Sequence, residues 1–404
     1  MIIPHHSHPA LPKPTRTKAS MPSIIAGRTL RLLAYVHLRN IHNSTGAGRV
    51  ARQLTEHLAR RSDVALTVLA DIGDYRRIIP NVGSPWDSFE YRFMEAETSR
   101  QQARWFLLDS PGAQRYEPET DVVFCTAESY VPKGGARLAV TVHDAAYFER
   151  SAHRRDRGFF TQRFKWHLLY RKLDRRADLF HAVSHFSADR LAHFFPSIRS
   201  RIRVVHNAVT PHFFDAVTEE GKAYLRAASL DNRRFVLVPG GLHYRKNAEL
   251  ILQAWPSIQK LDPDVLLVIV NHSNPEYVAK AERLGSPIQF AGFVPDAALR
   301  ALYSAAELVW FPSRYEGFGL PVIEAMAAGT PVVASNASSL PEIAGTAALL
   351  AGPSEPDAHV QAVEALLRDA RLRRELSLAG QKRAQRFTWA ESARELKEHF
   401  DALI

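Results

Sequence analysis

Apolar residues along this chain gather in short unbroken runs, separated by polar stretches with helical spacing. In the first half such runs occupy 30–36, 65–69, 122–124, 138–142, 179–183 and 202–205. Between 37 and 48 lies a polar, glycine-containing loop. A helix is expected over 49–60, with Val50, Leu54 and Leu58 on one face. In the second half, strands are expected at 235–239, 265–270, 287–290, 307–311 and 331–334, with helices near 248–259, 276–284, 296–305 and 321–328. Runs without polar alternation suit strands buried on both faces, as in parallel sheets. Their alternation with helices predicts an α/β fold of doubly wound parallel sheets.

The 404 residues suggest two such lobes facing a cleft. The expected division is 29–210 for the first and 211–386 for the second, crossing after the turn at Asn207-Ala208. A last segment, 387–404, carries a helix expected to return to the first lobe. Residues 1–28 hold five prolines, a His-rich start and no apolar core of a secretory signal, and read as a disordered tail. The purest apolar run, 265–270, is far shorter than the roughly 18–20 residues that span a bilayer. Cys125 is the only cysteine, so there is no internal disulfide and no cysteine-based zinc site; beside Phe124 it reads as a small core residue.

Charge adds an asymmetry that the apolar pattern does not show. The net charge is +10, but residues 1–210 carry 32 Lys/Arg against 19 Asp/Glu, and the remainder 20 against 23. A field of this kind favours an anionic partner at the first lobe. The stretch 149–176 concentrates it: ten basic and three acidic residues, with Phe159, Phe160, Phe164, Trp166 and Tyr170 interleaved. Such a segment suits peripheral contact with an anionic membrane, or a surface helix packing its aromatic face on the lobe.

Ligands of open α/β sheets bind beyond the carboxyl ends of the strands, so the loops there carry the candidate chemistry. After the strand at 307–311 comes Pro312-Ser313-Arg314-Tyr315-Glu316-Gly317-Phe318-Gly319-Leu320-Pro321, with Glu324 eight residues beyond Glu316. Gly317 and Gly319 allow close backbone approach, Pro321 suits a first helical turn and Gly329 a helix end. The free N–H groups make an anion site, and the two carboxylates can accept from paired hydroxyls of a polyol. After the strand at 235–239 comes Gly240-Gly241-Leu242-His243-Tyr244-Arg245-Lys246-Asn247, with Asn247 a candidate helix N-cap. Adjacent cations before a positive helix end make sense if a diphosphate sits between them.

Together with Ser339-Leu340-Pro341-Glu342-Ile343-Ala344-Gly345, these loops resemble those of the retaining GT-B glycosyltransferases of the group-1 family (GT4). Gly46-Ala47-Gly48-Arg49 resembles the family's glycine-rich loop and Thr141-Val142-His143-Asp144 its Thr-x-His-Asp strand end. Residues 182–187 and 204–209 are similar to two further family segments, and the likeness covers roughly 30–400. Two departures, Asn207-Ala208 for Asn-Gly and Gly345-Thr346 for Gly-Asp or Gly-Asn, touch none of the charged positions.

The resemblance implies the GT-B architecture and a nucleoside-diphosphate sugar held by the second lobe. Arg245 and Lys246 would neutralise the diphosphate, Glu324 bind the ribose, and Glu316 the sugar hydroxyls. Gly240 and the backbone of Phe318, Gly319 and Leu320 would complete the cradle. His143 would meet the sugar near the reacting carbon; Gly46 and Gly48 would admit backbone to phosphate and acceptor, and Asp144 and Arg49 would serve acceptor or positioning. The expected reaction is metal-independent, cofactor-free hexosyl transfer, mannosyl among the options, to a glycan or lipid-linked acceptor, with envelope polysaccharide or lipopolysaccharide as setting. The expected location is cytoplasmic, peripheral on the inner membrane face. Asp262-Pro263-Asp264 precedes its strand, where a metal-binding pair would follow it. Two other readings stand beside this one: a nucleotide-sugar epimerase of the same fold, and a non-catalytic polyanion binder. No nucleic-acid motif supports nucleic acid as partner.

Overall fold

A computed structural model describes residues 28–42, 46–149, 152–153 and 157–404. The expected disordered tail therefore lies, but for Arg28, outside the described residues. The first sheet contains β1 (Leu30–Tyr35), β2 (Val64–Ala70), β3 (Glu90–Phe93), β4 (Val122–Cys125), β5 (Arg137–Val142), β6 (Leu179–Ala182) and β7 (Ile202–Val204). Their order is β3-β2-β1-β4-β5-β6-β7. All neighbours are parallel; β1 pairs β2 through Leu30↔Val64 and β4 through Leu32↔Val122.

The second sheet contains β8 (Phe235–Pro239), β9 (Leu266–Val270), β10 (Ile288–Gly292), β11 (Leu308–Phe311), β12 (Val332–Ser335) and β13 (Leu349–Ala351), in the order β10-β9-β8-β11-β12-β13. Again every pairing is parallel. The central strands are wholly apolar and wholly buried, Phe235–Pro239 and Leu266–Val270 among them. Their backbone polar groups pair within the sheet and their side chains pack against helices on both faces, which makes a central position the stable place for such a run. The strand order reverses between β1 and β4 in one sheet and between β8 and β11 in the other. Loops leaving those switch points open toward one cleft.

The helix Trp389–Asp401 ends the chain on the first lobe. Phe400 packs on Phe124 at 5.2 Å between ring centres, and Lys397 pairs with Asp63 at 3.2 Å. One continuous apolar cluster consequently runs from Leu30, Val50 and Leu54 through Leu396 and Phe400 to Phe318 and Leu340. Cys125 is buried, as its neighbours led us to expect.

Three local expectations need correction. The loop expected over 37–48 contains a short helix, Leu38–His42, and the next helix is Gly46–Ala59, so Gly46 and Gly48 belong to a helical first turn. Asn247 does not cap its helix through its side chain: at φ 63° it is left-handed. Its amide instead donates to the carbonyls of Pro312, at 3.0 Å, and Pro353, at 2.7 Å. Satisfying two buried carbonyls of neighbouring loops outweighs a helix-end bond that other groups can supply. The aromatic set of the basic segment also divides. On the helix Arg157–Arg176, Phe159 and Tyr170 are buried and Trp166 stacks on Tyr147, while Phe160 and Phe164 face solvent. Residues 150–151 and 154–156 of that segment lie outside the described residues.

Candidate active site in the cleft between the lobes

The cleft has a volume of about 340 Å³, and its walls come from the segments after β1, β5, β8 and β11, with further residues that follow β6, β7, β9 and β10. Gly46, Arg49, His143, Asp144, Gly240, Arg245, Lys246, Glu316, Phe318, Gly319, Leu320 and Glu324 all line it. Gly48 does not: it is buried in the helix Gly46–Ala59, whose early start turns it away from the opening. Gly46 instead lies at the mouth, where a Cβ would come no nearer to Leu320 than 3.9 Å.

Glu316 is the electrostatic centre of the second-lobe wall. Its carboxylate accepts from Lys246 at 2.7 Å and from Arg245 at 3.2 Å. Burial works to raise the Glu316 pKa, but the two cations outweigh it and hold the carboxyl below its ordinary value. Burial draws the Lys246 ammonium below its usual value, with Glu316 opposing. Lys246 also lies over the Phe311 ring at 4.5 Å, which fixes the side chain along the floor. Gly240, at φ 98°, adopts a backbone conformation that L side chains rarely reach, and a Cβ there would also approach the Lys246 Cε to 3.0 Å.

The loop carrying Glu316 is tied down from both lobes. Ser339 donates to the carbonyls of Glu316 and Phe318, at 3.0 and 2.7 Å. From the first lobe, Ser184 and Ser187 donate to the Gly317 carbonyl at 2.6 and 3.0 Å. The lobes pack backbone to backbone at Gly317: a Cβ there would sit 1.9 Å from the His143 carbonyl oxygen. Gly319, at φ 104°, opens the helix Leu320–Ala327, with Pro321 in its first turn.

Glu324 sits on that helix with its carboxylate engaged. Arg49 of the first lobe pairs with one oxygen, and the Tyr303 hydroxyl donates to the other at 3.1 Å. Arg49 reaches Asp296 as well, at 3.0 Å. On the first-lobe wall, Asp144 accepts from the Ala146 N–H at 2.8 Å and so caps its own turn while it faces the cleft. His143 donates its backbone N–H to Glu128 at 2.6 Å. Burial raises the Glu128 pKa, Asp144 adds to the effect and His143 opposes it.

Glu128, Tyr303, Asp296 and Asn207 are site neighbours that sequence reading did not single out. Asn207 lines the cleft, and its side-chain oxygen is buried without a hydrogen-bond partner among the described residues. Only the turn position of Asn207 was visible beforehand. Glu128 and Tyr303 had no motif to mark them, since they reach the site through tertiary contact. Asp262, discounted as a metal ligand, pairs with Arg234 at 2.7 Å.

Two parallel-sheet lobes with a cleft between them fit a GT-B architecture, and comparison with known proteins supplies the family. The sequence model for "Glycosyltransferase Family 4" matches residues 44–213, and that for "Glycosyl transferases group 1" matches residues 225–383. The chain belongs to the group-1 (GT4-like) glycosyltransferases. It is 28% identical over 358 residues to the O-antigen chain mannosyltransferase B of Escherichia coli, covering 85% of this chain and 93% of that one. To the serotype-specific mannosyltransferase WbdA of E. coli it is 31% identical over 239 residues, 57% of this chain and 29% of the relative. Among solved structures, sucrose-phosphate synthase from Thermosynechococcus elongatus superposes with a TM-score of 0.70 at 20% identity, over 93% of this chain and 99% of the other. HepE of Anabaena, in complex with UDP and glucose, gives 0.69 at 18% identity, over 92% and 100%. These last two show the fold. No helix among the described residues is long and apolar enough to cross a membrane.

Proposed function

We propose that this glycosyltransferase transfers a hexosyl group, mannosyl by preference, from a nucleoside-diphosphate sugar to a glycan or lipid-linked acceptor, with retention of anomeric configuration. The observation that carries this reading is the Arg245–Lys246 pair, held against buried Glu316 at the end of β8 and facing the first lobe across the cleft. Two fixed cations at that point neutralise the charge that grows on a departing diphosphate, which is where preorganised charge lowers a barrier most. Glu316 hydrogen-bonds sugar hydroxyls, Glu324 the ribose, and the backbone from Phe318 to Leu320 cradles phosphate. The bond from the anomeric carbon to phosphate oxygen breaks as the acceptor oxygen bonds to the same face. The acceptor's proton passes to the leaving phosphate. Cationic side chains supply the charge, so this route calls for no metal and no cofactor.

The relatives named as O-antigen and serotype-specific mannosyltransferases support the mannosyl preference and an envelope-polysaccharide setting. Peripheral contact with an anionic membrane belongs to the same reading, through the segment 149–176, where Phe160 and Phe164 are exposed beside Arg163 and Lys165. A cytoplasmic location at the inner membrane face is part of the same proposal.

The test is thermal and chemical stabilisation by a panel of nucleoside diphosphates and their sugars, with Glu324→Ala and Lys246→Ala beside the wild type. One base should stabilise wild type by about 2.7 kcal/mol at about 100 times its dissociation constant, and neither variant should respond comparably. The anomeric signal of the product, read by NMR, then reports retention. A folded protein stabilised by no nucleotide would sink the donor assignment, and an inverted product the stereochemistry.

A further inference from the structure

Behind the loop that carries Glu316, away from the cleft opening, two histidines and a carboxylate meet across the lobe boundary. His185 begins the helix His185–Phe194, His206 follows β7, and Glu342 lies in the short helix Leu340–Ala344 of the second lobe. Their potential ligand atoms all lie within 4.8 Å of one another. His206 Nε2 is 2.6 Å from Glu342 Oε1, and the two imidazole rings meet edge-on at 5.6 Å between centres. We propose that His185, His206 and Glu342 form a binding site for a divalent transition cation of the zinc type, which clamps the two lobes together and takes no part in the transfer chemistry.

The donor set selects the cation. Two imidazoles with one carboxylate suit zinc, cobalt or nickel, whereas magnesium and calcium call for oxygen ligands. The carboxylate is already aimed: the backbone N–H groups of His185 and Phe186 donate to its two oxygens at 2.9 and 3.1 Å. Such outer contacts orient a ligand before the ion arrives. A carboxylate offers about four acceptor directions, so these two bonds leave room for a cation. Zinc held at about 2.0–2.1 Å from each ligand would need ligand atoms roughly 3.3 Å apart. The His206–Glu342 contact must therefore open slightly and His185 close in. His185 is exposed and has space to move. Water would fill the remaining position.

The site is also coupled to the cleft. Ser184 and Ser187, flanking His185, hold the Gly317 carbonyl, and His206 lies 6.1 Å from the Phe318 ring, centre to centre. An ion here joins the first lobe to the second beside the donor loop, so occupancy should raise thermal stability and slow any turnover step that needs the lobes to part.

The experiment uses the full chain with His5, His6 and His8 replaced by alanine, which removes the histidines of the N-terminal tail as competing ligands. After chelation, zinc is titrated by calorimetry and cobalt by visible absorption, into this background and into His185→Ala and Glu342→Gln made upon it. The expected result is one saturable zinc per chain, at least roughly tenfold weaker in either variant, with a cobalt spectrum of nitrogen and oxygen ligation that both variants lose. His185→Ala removes an exposed side chain, and circular dichroism confirms its fold. Zinc binding that is equal in the background and in folded His185→Ala would overturn the proposal, as would the absence of saturable binding in the background.

Discussion

Gly317 sits where two demands meet. Its carbonyl receives two hydroxyls from the first lobe, and its missing side chain lets His143 lie against it. A methyl group at 1.9 Å from the His143 oxygen cannot be absorbed by a rotamer change, because both partners are backbone. Gly317→Ala is therefore expected to separate the lobes locally, with a stability loss of about 1–3 kcal/mol by urea unfolding. Its kcat/KM should fall by at least the roughly 100-fold that a 1 Å misplacement can cost. Wild-type stability and turnover in that variant would contradict the close contact. Legibility at this scale was uneven. The charged positions Glu316, Glu324, Arg245 and Lys246 stood out because glycine and proline punctuate their loops. Glu128 and Tyr303 stayed silent, since a buried carboxyl and a helix tyrosine look the same in sequence whether or not they touch a site.

Elements were legible where burial makes them uniform. β8, β9 and β11 are continuous apolar runs and fall within a residue or so of the expected bounds. β3, with sequence Glu-Tyr-Arg-Phe, is an edge strand with no fully buried residue, so its pattern carries little signal. The helix Ala370–Ala384 buries only Leu376, Gly380 and Ala384, and its mostly polar surface gives no apolar stripe to read. The final helix is different: Ala393, Leu396 and Phe400 make a narrow stripe that lands on the first lobe. Phe400 is fully buried against Phe124. Phe400→Ala should lower the unfolding free energy by about 3–5 kcal/mol in urea titration, a large effect for a change four residues from the chain's last residue. A loss under about 1 kcal/mol would show that the helix does not dock as described.

For the whole molecule, charge and connectivity act over longer distances. The proposed membrane contact rests on the excess of positive charge in residues 1–210 and on the exposed Phe160 and Phe164. Cosedimentation with vesicles containing phosphatidylglycerol should fall several-fold when Arg163, Lys165 and Arg171 are made neutral, and should weaken as salt rises. Binding that ignores both changes would remove the membrane contact from the reading. Connectivity has a quieter consequence. The chain leaves the first lobe after β7, builds the second, and comes back to cover Val50, Leu54 and Phe124 with its last helix. Neither lobe is thus a contiguous cassette. An exchange of the second lobe between relatives that cut only once, after β7, would carry along the wrong cover for the first lobe's core. A working chimaera needs two crossovers, the second just ahead of Trp389. Recombination in this fold is thereby steered toward paired breakpoints, and specificity is freer to change by substitution in the loops than by swapping halves.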